Sequence, residues 1–136
     1  VIVSNSASIV HDPEPYVFAL LQSRMHMVWT KTLAGRLRTD IRYTSAICYN
    51  TFPVPKLMKA AIFKLNESAF KILAVRESYS HLSLAQLYDP EKMPLDLKQA
   101  HIENDLLVEK LYKSSEFKTD EERLERLFHY YEMMLN

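Results

Sequence analysis

Residues 23–55 read SRMHMVWTKTLAGRLRTDIRYTSAICYNTFPVP, and basic, aromatic and turn-forming residues are concentrated there. Residues from Tyr16 to Leu33, which begin before this stretch and include its first part, carry apolar side chains at helical spacing. They contain no glycine or proline, so the sequence predicts one helix here. Gly35, the only glycine in the chain, follows almost at once. A glycine there is typical of the left-handed residue that ends a helix. We therefore predict a helix that Gly35 terminates, and we expect the residues of this stretch to form the functional surface of the protein.

Beyond this glycine the sequence alternates, which predicts an extended segment from Arg36 to Tyr43. The charged side chains of such a segment would all project to one side: Arg36, Arg38, Asp40 and Arg42. Arginine donors match the two acceptors on a guanine edge, and aspartate accepts from the cytosine amino group, so this face is a candidate for DNA recognition. An ion pair between Asp40 and Arg36 or Arg42 that only fixes a loop is the alternative explanation.

The charge of the chain is unevenly distributed. The formal net charge is zero, which argues against a protein that binds polyanions with its whole surface. Between positions 24 and 42, however, Asp40 is the only acid among five basic residues: Arg24, Lys31, Arg36, Arg38 and Arg42. Such a local excess is a usable footprint for nucleic acid. Lys31, Arg36 and Arg42 are our candidates for phosphate contacts, and His26 is another, although it can equally hydrogen-bond a backbone carbonyl.

Several kinds of site are disfavoured by composition. Cys48 is the only cysteine, so the chain forms no internal disulfide and has no cysteine cluster for zinc. The histidines lack the short spacing of a metal site on one helix, and no apolar run is long enough to cross a membrane. A chain that begins Val1-Ile2-Val3 without a signal-like region predicts an excised piece of a longer cytoplasmic protein.

The remaining sequence predicts a mainly α fold in two parts. The first part, residues 1–55, contains the helix and short β segments at Val1 to Val10 and Tyr43 to Asn50. Phe52-Pro53-Val54-Pro55 then marks a domain boundary. Residues 56–136 contain three amphipathic helices that predict a small three-helix bundle, which we expect to fold alone: Leu57 to Tyr79, a helix opened by Pro94, and Asp120 to Leu135.

Two groups of motifs resemble one known family. The first group resembles the end of the target-recognition domain of MmeI-like DNA methyltransferases, which are large single-chain adenine methyltransferases of restriction-modification systems. It consists of Met25-His26-Met27-x-Trp29, Gly35-Arg36-Leu37-x-x-Asp40-x-Arg42-Tyr43 and Ile47-x-Tyr49-Asn50-x-Phe52-Pro53. The second group is similar to the helical C-terminal domain of the same family. It consists of Ser83-Leu84-Ala85-x-Leu87-Tyr88-Asp89-Pro90 with Met93-Pro94.

The resemblance implies a sequence-specific DNA-recognition region, with double-stranded DNA as the partner. It implies that residues 1–55 are the C-terminal part of the recognition domain and residues 56–136 the helical C-terminal domain. It also implies base contacts for Arg38 and Asp40, a charged pair that helps to choose one base pair.

The resemblance implies adenine-N6 methylation and S-adenosylmethionine binding for an upstream domain of the parent chain, and it leaves open whether the parent chain also carries an endonuclease. This sequence has no Asn-Pro-Pro-Tyr motif and too little glycine for a nucleotide-type cofactor site, so we expect no catalytic residues in it. A helical protein-interaction domain without DNA contact is the alternative function.

Overall fold

A computed structural model describes residues 2–3, 14–37 and 40–135. The fold is mainly α, as predicted. The elements in chain order are β1 (Ile2–Val3), α1 (Pro15–Leu21), α2 (Arg24–Leu37), α3 (Ile41–Thr51), β2 (Pro53–Val54), α4 (Lys59–Glu77), α5 (Leu84–Leu87), α6 (Leu95–Tyr112) and α7 (Asp120–Leu135). The three long helices predicted after Pro55 correspond to α4, α6 and α7.

The first predicted helix is in fact two helices, α1 and α2. Pro15 occupies the first helical position of α1, as expected from its fixed φ. The break follows Leu21, because the Ser23 hydroxyl serves both helix ends. It donates a hydrogen bond to the Leu20 carbonyl (2.6 Å) and accepts one from the His26 backbone N–H (3.3 Å). A serine oxygen that accepts from the third N–H of a helix is a helix N-cap, so α2 begins directly after Ser23.

The prediction that Gly35 ends a helix is wrong. Gly35 lies within α2, which continues to Leu37, and its φ is not in the left-handed region. A Cβ atom added to Gly35 would meet nothing within 4 Å. Neither backbone conformation nor packing within the described chain therefore requires glycine at this position.

The extended segment from Arg36 to Tyr43 and the strand from Tyr43 to Asn50 are also wrong. Arg36 lies in α2, and α3 spans Ile41–Thr51. Asp40 starts this helix, because its carboxylate accepts a hydrogen bond from the Arg42 N–H (2.8 Å) and its carbonyl accepts one from the Thr44 N–H (2.9 Å). The inward residues of α3 then recur at helical spacing: Thr44, Ile47, Cys48 and Thr51.

The two short strands form a parallel pair. Ile2 lies opposite Pro53, and Val3 lies opposite Val54. The predicted strand from Val1 to Val10 is thus described only at Ile2–Val3, and residues 4–13, with most of the predicted turn, lie outside the described residues. The buried Tyr112 hydroxyl donates a hydrogen bond to the Pro53 carbonyl (2.6 Å), which attaches β2 to α6.

The hydrophobic core continues across Pro55. Helix α4 packs against both α1 and α6, while α7 packs against α2 and β2. One apolar cluster contains residues from both sides of this proline, including Leu20, Trp29, Leu65 and Leu127. The C-terminal helices therefore bury much of their apolar surface against residues that precede Pro55.

A buried amide connects three helices at this shared core. Asn104 of α6 is fully buried. Its Nδ2 donates to the Ala19 carbonyl of α1 (2.8 Å), and its Oδ1 accepts from the Ser68 hydroxyl of α4 (2.8 Å). Because both partners are then satisfied, the amide specifies how α1, α4 and α6 pack.

The motif around Ser83 has a structural role. Ser83 and Gln86 form a capping box at the start of α5. The Tyr88 hydroxyl lies 2.6 Å from Nε2 of His101 and accepts a hydrogen bond from Nε of Arg76 (2.8 Å). The Arg76 guanidinium also stacks on the rings of Phe18 and Tyr88. These contacts join α5 to α1, α4 and α6.

Candidate nucleic-acid interface

Helices α2 and α3 pack as an antiparallel pair. The Trp29 indole N–H donates to the Thr51 hydroxyl (3.1 Å), and the Cys48 thiol lies 4.0 Å from the Thr30 carbonyl oxygen. Trp29 and Cys48 are both buried, so they are packing residues of this helix pair. These contacts place the chain that joins the two helices at one end of the pair. We call residues 36–42 the α2–α3 junction.

The junction contains most of the sequence-predicted DNA contacts. Asp40 and Arg42 are both exposed, and so is Lys31 on the preceding helix. Asp40 has a structural role as the N-cap of α3, because its carboxylate accepts a hydrogen bond from the Arg42 backbone N–H. This role differs from the ion pair considered in the sequence analysis. Arg38 lies outside the described residues, so its base contact remains a prediction.

Two of the five basic residues contact α7. The Arg36 guanidinium lies over the Phe128 ring, 5.5 Å from its centroid. The Arg24 guanidinium forms a two-pronged ion pair with Asp120, with N–O distances of 2.8 and 3.2 Å. Arg24 is thus part of the fold, whereas Arg36 is an exposed cation held on an aromatic surface.

His26 is poorly placed for a phosphate contact. Its ring packs edge-on against Phe52 with a centroid distance of 4.8 Å, and its Nδ1 lies 3.5 Å from the Thr30 hydroxyl. Burial lowers the pKa of His26 to about 4, so the ring is neutral near pH 7. Because its Nε2 atom is also buried, we leave His26 out of the proposed phosphate contacts.

Sequence reasoning missed a cluster of charged residues that joins α2, α6 and α7. The Arg24 backbone N–H donates to Asp105 (2.9 Å), and Arg123 bridges Glu109 (3.2 Å) and Asp120 (3.0 Å). We call these five residues the Arg24 joint. Asp105 and Asp120 lie 81 and 96 residues from Arg24 in sequence, so no local pattern indicates them.

Burial raises the pKa of Asp105 to about 6. The Arg24 N–H opposes this shift and the Glu109 carboxylate adds to it. Asp120 differs, because the hydrogen bond from the Arg24 side chain lowers its pKa. The joint therefore contains one carboxylate whose pKa is raised by burial and one whose pKa is lowered by its hydrogen bond with Arg24.

Metal and membrane sites are not found within the described ranges. No three His, Cys, Asp or Glu side chains of residues 2–3, 14–37 and 40–135 are grouped to hold a metal ion. In the same part of the chain, no helix is both long and apolar enough to cross a membrane. Independently of these findings, the described surface around the α2–α3 junction carries the exposed cations Lys31, Arg36 and Arg42, which suit an anionic partner.

Comparisons with known proteins agree on both halves of the chain. Residues 1–56 match the family described as "MmeI, target recognition domain", and residues 48–136 match "MmeI, C-terminal domain". DNA methyltransferase A of Bacillus subtilis (strain 168) is 45% identical over 133 residues, which cover 98% of this chain and 15% of that protein. A solved structure of the type IIL restriction-modification enzyme MmeI in complex with DNA superposes with a TM-score of 0.80. It is 38% identical, over 91% of this chain and 17% of that chain.

Proposed function

We propose, from the premise that this chain belongs to the MmeI family, that it is the DNA-recognition end of a restriction-modification methyltransferase. The chain spans only about 15% of its curated relative, so the activity of a whole enzyme is part of this proposal. The observation that carries it is the similarity of this fold to the MmeI–DNA complex, and the exposed cations at the α2–α3 junction support it.

Different residues of this region are proposed to have different tasks. Lys31 and Arg42 are exposed cations that suit phosphate contacts, and Arg36 is a further exposed cation that lies over Phe128. Phosphate contacts orient a protein on the duplex but carry no sequence information. Arg38 and Asp40 are the proposed base contacts: arginine donates to guanine O6 and N7, and the aspartate accepts from the amino group of the paired cytosine.

Catalysis is proposed to take place outside this chain. Adenine-N6 methylation and S-adenosylmethionine binding would belong to the upstream methyltransferase domain of the parent chain, in the cytoplasm. The single glycine of this sequence supports this division, because a nucleotide-type cofactor site usually needs close backbone approach and hence several glycines. Calorimetric titration of the 136-residue chain with S-adenosylmethionine is expected to give no binding heat, and saturable binding would contradict the division.

Duplex binding at several salt concentrations tests the DNA interface. Each lost phosphate contact lowers the slope of log affinity against log salt by about 0.9. We therefore expect Lys31→Ala combined with Arg42→Ala to reduce the slope by about 2 and to weaken binding to all sequences alike. The matched control is Lys98→Ala, which removes an exposed lysine from α6.

An equal loss in the control variant would contradict the proposed location. Complete absence of salt-dependent binding by the unmodified chain would instead favour the alternative function, a helical protein-interaction domain without direct DNA contact. Circular dichroism of each variant checks that the helices remain folded.

A further inference from the structure

Helix α7 contacts α2 along much of its length. The Arg24 joint connects the two helices at the start of α2. In the middle of α2, the Trp29 ring packs against Phe128 and Tyr131, with centroid distances of 5.3 and 5.6 Å. In the last turn, the Arg36 guanidinium lies 5.5 Å from the centroid of the Phe128 ring. The placement of α2 therefore depends on a helix that lies far from it in sequence.

Phe128 takes part in two of these contacts. Its ring is partly buried against the core, beside the buried Trp29. Trp29 in turn donates its indole N–H to the Thr51 hydroxyl of α3. One aromatic side chain of α7 thus supports the α2–α3 pair through Trp29, and it also holds Arg36 at the α2–α3 junction.

Arg24 and Arg36 both contact α7, but their partners differ in charge. The Asp120 carboxylate offsets the charge of Arg24, whereas the Phe128 ring is neutral. A cation over an aromatic face is attracted by the ring quadrupole and keeps its full charge. Within the described part of the chain, no carboxylate forms an ion pair with Arg36, and its side chain is exposed. The charge of Arg36 is thus held in place at the surface without being neutralised.

We propose that Phe128 positions Arg36 for a phosphate of the bound duplex. The segment that matches the MmeI C-terminal domain would then strengthen DNA binding through a side chain that does not itself contact DNA. The inference rests on the proposed function, because it requires a duplex at the α2–α3 junction. An arginine loses rotamer freedom when it binds an anion, and a ring that already holds the guanidinium reduces this loss.

A double-mutant cycle of Phe128 and Arg36 tests this role in duplex binding by the 136-residue chain. Phe128→Leu should weaken binding about threefold, as expected for loss of an exposed cation–π contact. Arg36→Ala should weaken binding at least as much and lower the slope of log affinity against log salt by about 0.9, because one phosphate contact is lost. Since Phe128 acts through Arg36, the double variant should bind within about twofold of Arg36→Ala alone.

The matched control is Tyr131→Leu. It removes the other α7 ring that packs on Trp29 and leaves the ring under Arg36 in place. Its effect on binding should therefore be the same with and without Arg36→Ala, within about twofold.

Two further variants test the ring itself. Phe128→Tyr keeps an aromatic ring at this position and should retain the original affinity within about twofold. Phe128→Met fills similar space without a ring. It takes the place of Phe128→Leu in the cycle if circular dichroism shows that the leucine variant is unfolded.

The inference is supported if Phe128 is coupled to Arg36 and Tyr131 is not. Three results would overturn it even though the unmodified chain binds DNA: losses that multiply in the double variant, equal coupling of Tyr131 to Arg36, and unchanged affinity and salt slope in Arg36→Ala. Failure of the proposed function gives a different result, which is no salt-dependent binding by the unmodified chain. The positioning role would then fail with it.

Discussion

The Arg24 joint and the α2–α3 junction both combine arginine with aspartate, but their surroundings give them different tasks. In the joint, Arg24 contacts Asp105 and Asp120, and the largely buried Arg123 lies between Glu109 and the same Asp120. In the junction, Asp40 caps α3 and Arg42 extends from an exposed helix start. Charged residues whose partners come from distant helices thus stabilise the fold, while the exposed cations of the junction are those that we propose to contact DNA.

The largest expected effect comes from removing the N-terminal side of the joint. Residues 56–136 expressed alone lose α1 and α2, against which α4 and α7 pack. The structure therefore predicts that this fragment does not fold alone, contrary to the independent bundle expected from the sequence. The faces of α4 and α7 that pack on α1 and α2 would be exposed to water, and the fragment has no other burial to compensate for the lost stability. Thermal unfolding followed by circular dichroism is expected to lack a cooperative transition. A sharp transition in this fragment would mean that the joint only attaches two separate domains.

A smaller effect is expected from the buried amide near the joint. Asn104→Ala leaves the Ala19 carbonyl and the Ser68 hydroxyl without their partner. Each unsatisfied buried group costs about 1 to 3 kcal/mol, so the free energy of unfolding should fall by about 3 kcal/mol. Urea denaturation measures the change, with Lys98→Ala as the control. A loss below about 1 kcal/mol would show that water replaces the amide.

The joint should also make stability depend on pH through Asp105. Its pKa of about 6 in the folded protein exceeds the ordinary value of 3.8. The folded state therefore binds the extra proton more tightly, so this contribution is complete below pH about 4 and is lost as pH rises through about 6.

Asp105→Asn removes this titration while an amide oxygen still accepts from the Arg24 N–H. Relative to the original protein, the variant should gain about 1 to 2 kcal/mol between pH 4 and pH 7, after discounting for solvent screening. Melting temperatures of the two proteins across this range provide the test. His26 titrates in the same range in both proteins, so the difference between them isolates Asp105. A constant difference would contradict the role of Asp105.

The smallest expected effect concerns the junction side, at Gly35. Gly35→Ala should stabilise the chain by about 0.5 to 1 kcal/mol, since glycine is unfavourable inside a helix and the added Cβ meets nothing. Chemical denaturation measures the gain, and duplex binding is measured on the same variant. Unchanged stability would indicate that α2 is not helical at this position in solution.

The long helices were predictable because each has its own repeated apolar pattern. Asp120–Leu135 has the predicted bounds, and Thr119 caps it with a hydrogen bond to the Glu122 N–H (3.1 Å). The wrong predictions lie at the α2–α3 junction and in α3. Alternation from Arg36 to Tyr43 was interpreted as a strand, although Asp40 there starts a helix. The start of a helix can depend on a single hydrogen bond from a backbone N–H to a capping side chain. The spacing of apolar residues does not indicate such a bond.

Local charge marks the candidate site in the sequence, but it does not separate residues that stabilise the fold from exposed residues. Local charge identified residues 24–42, yet Arg24 belongs to the fold and Arg36 lies over Phe128. Both partners come from α7, which follows much later in the chain. Contacts between residues so distant in sequence arise from tertiary packing, and a single sequence carries no local signal for them.

The most direct test of the central claim is a map of the sites that the parent enzyme methylates on random DNA. We predict that Arg38→Glu combined with Asp40→Arg changes the recognition sequence at one position. Loss of a good base contact costs about 1 to 3 kcal/mol there, while loss of the N-cap costs about 1 kcal/mol of stability. Asp40→Asn is the matched control, because asparagine also caps helices but does not carry the charge. An unchanged recognition sequence with uniformly weaker methylation would contradict a base-reading role for the α2–α3 junction.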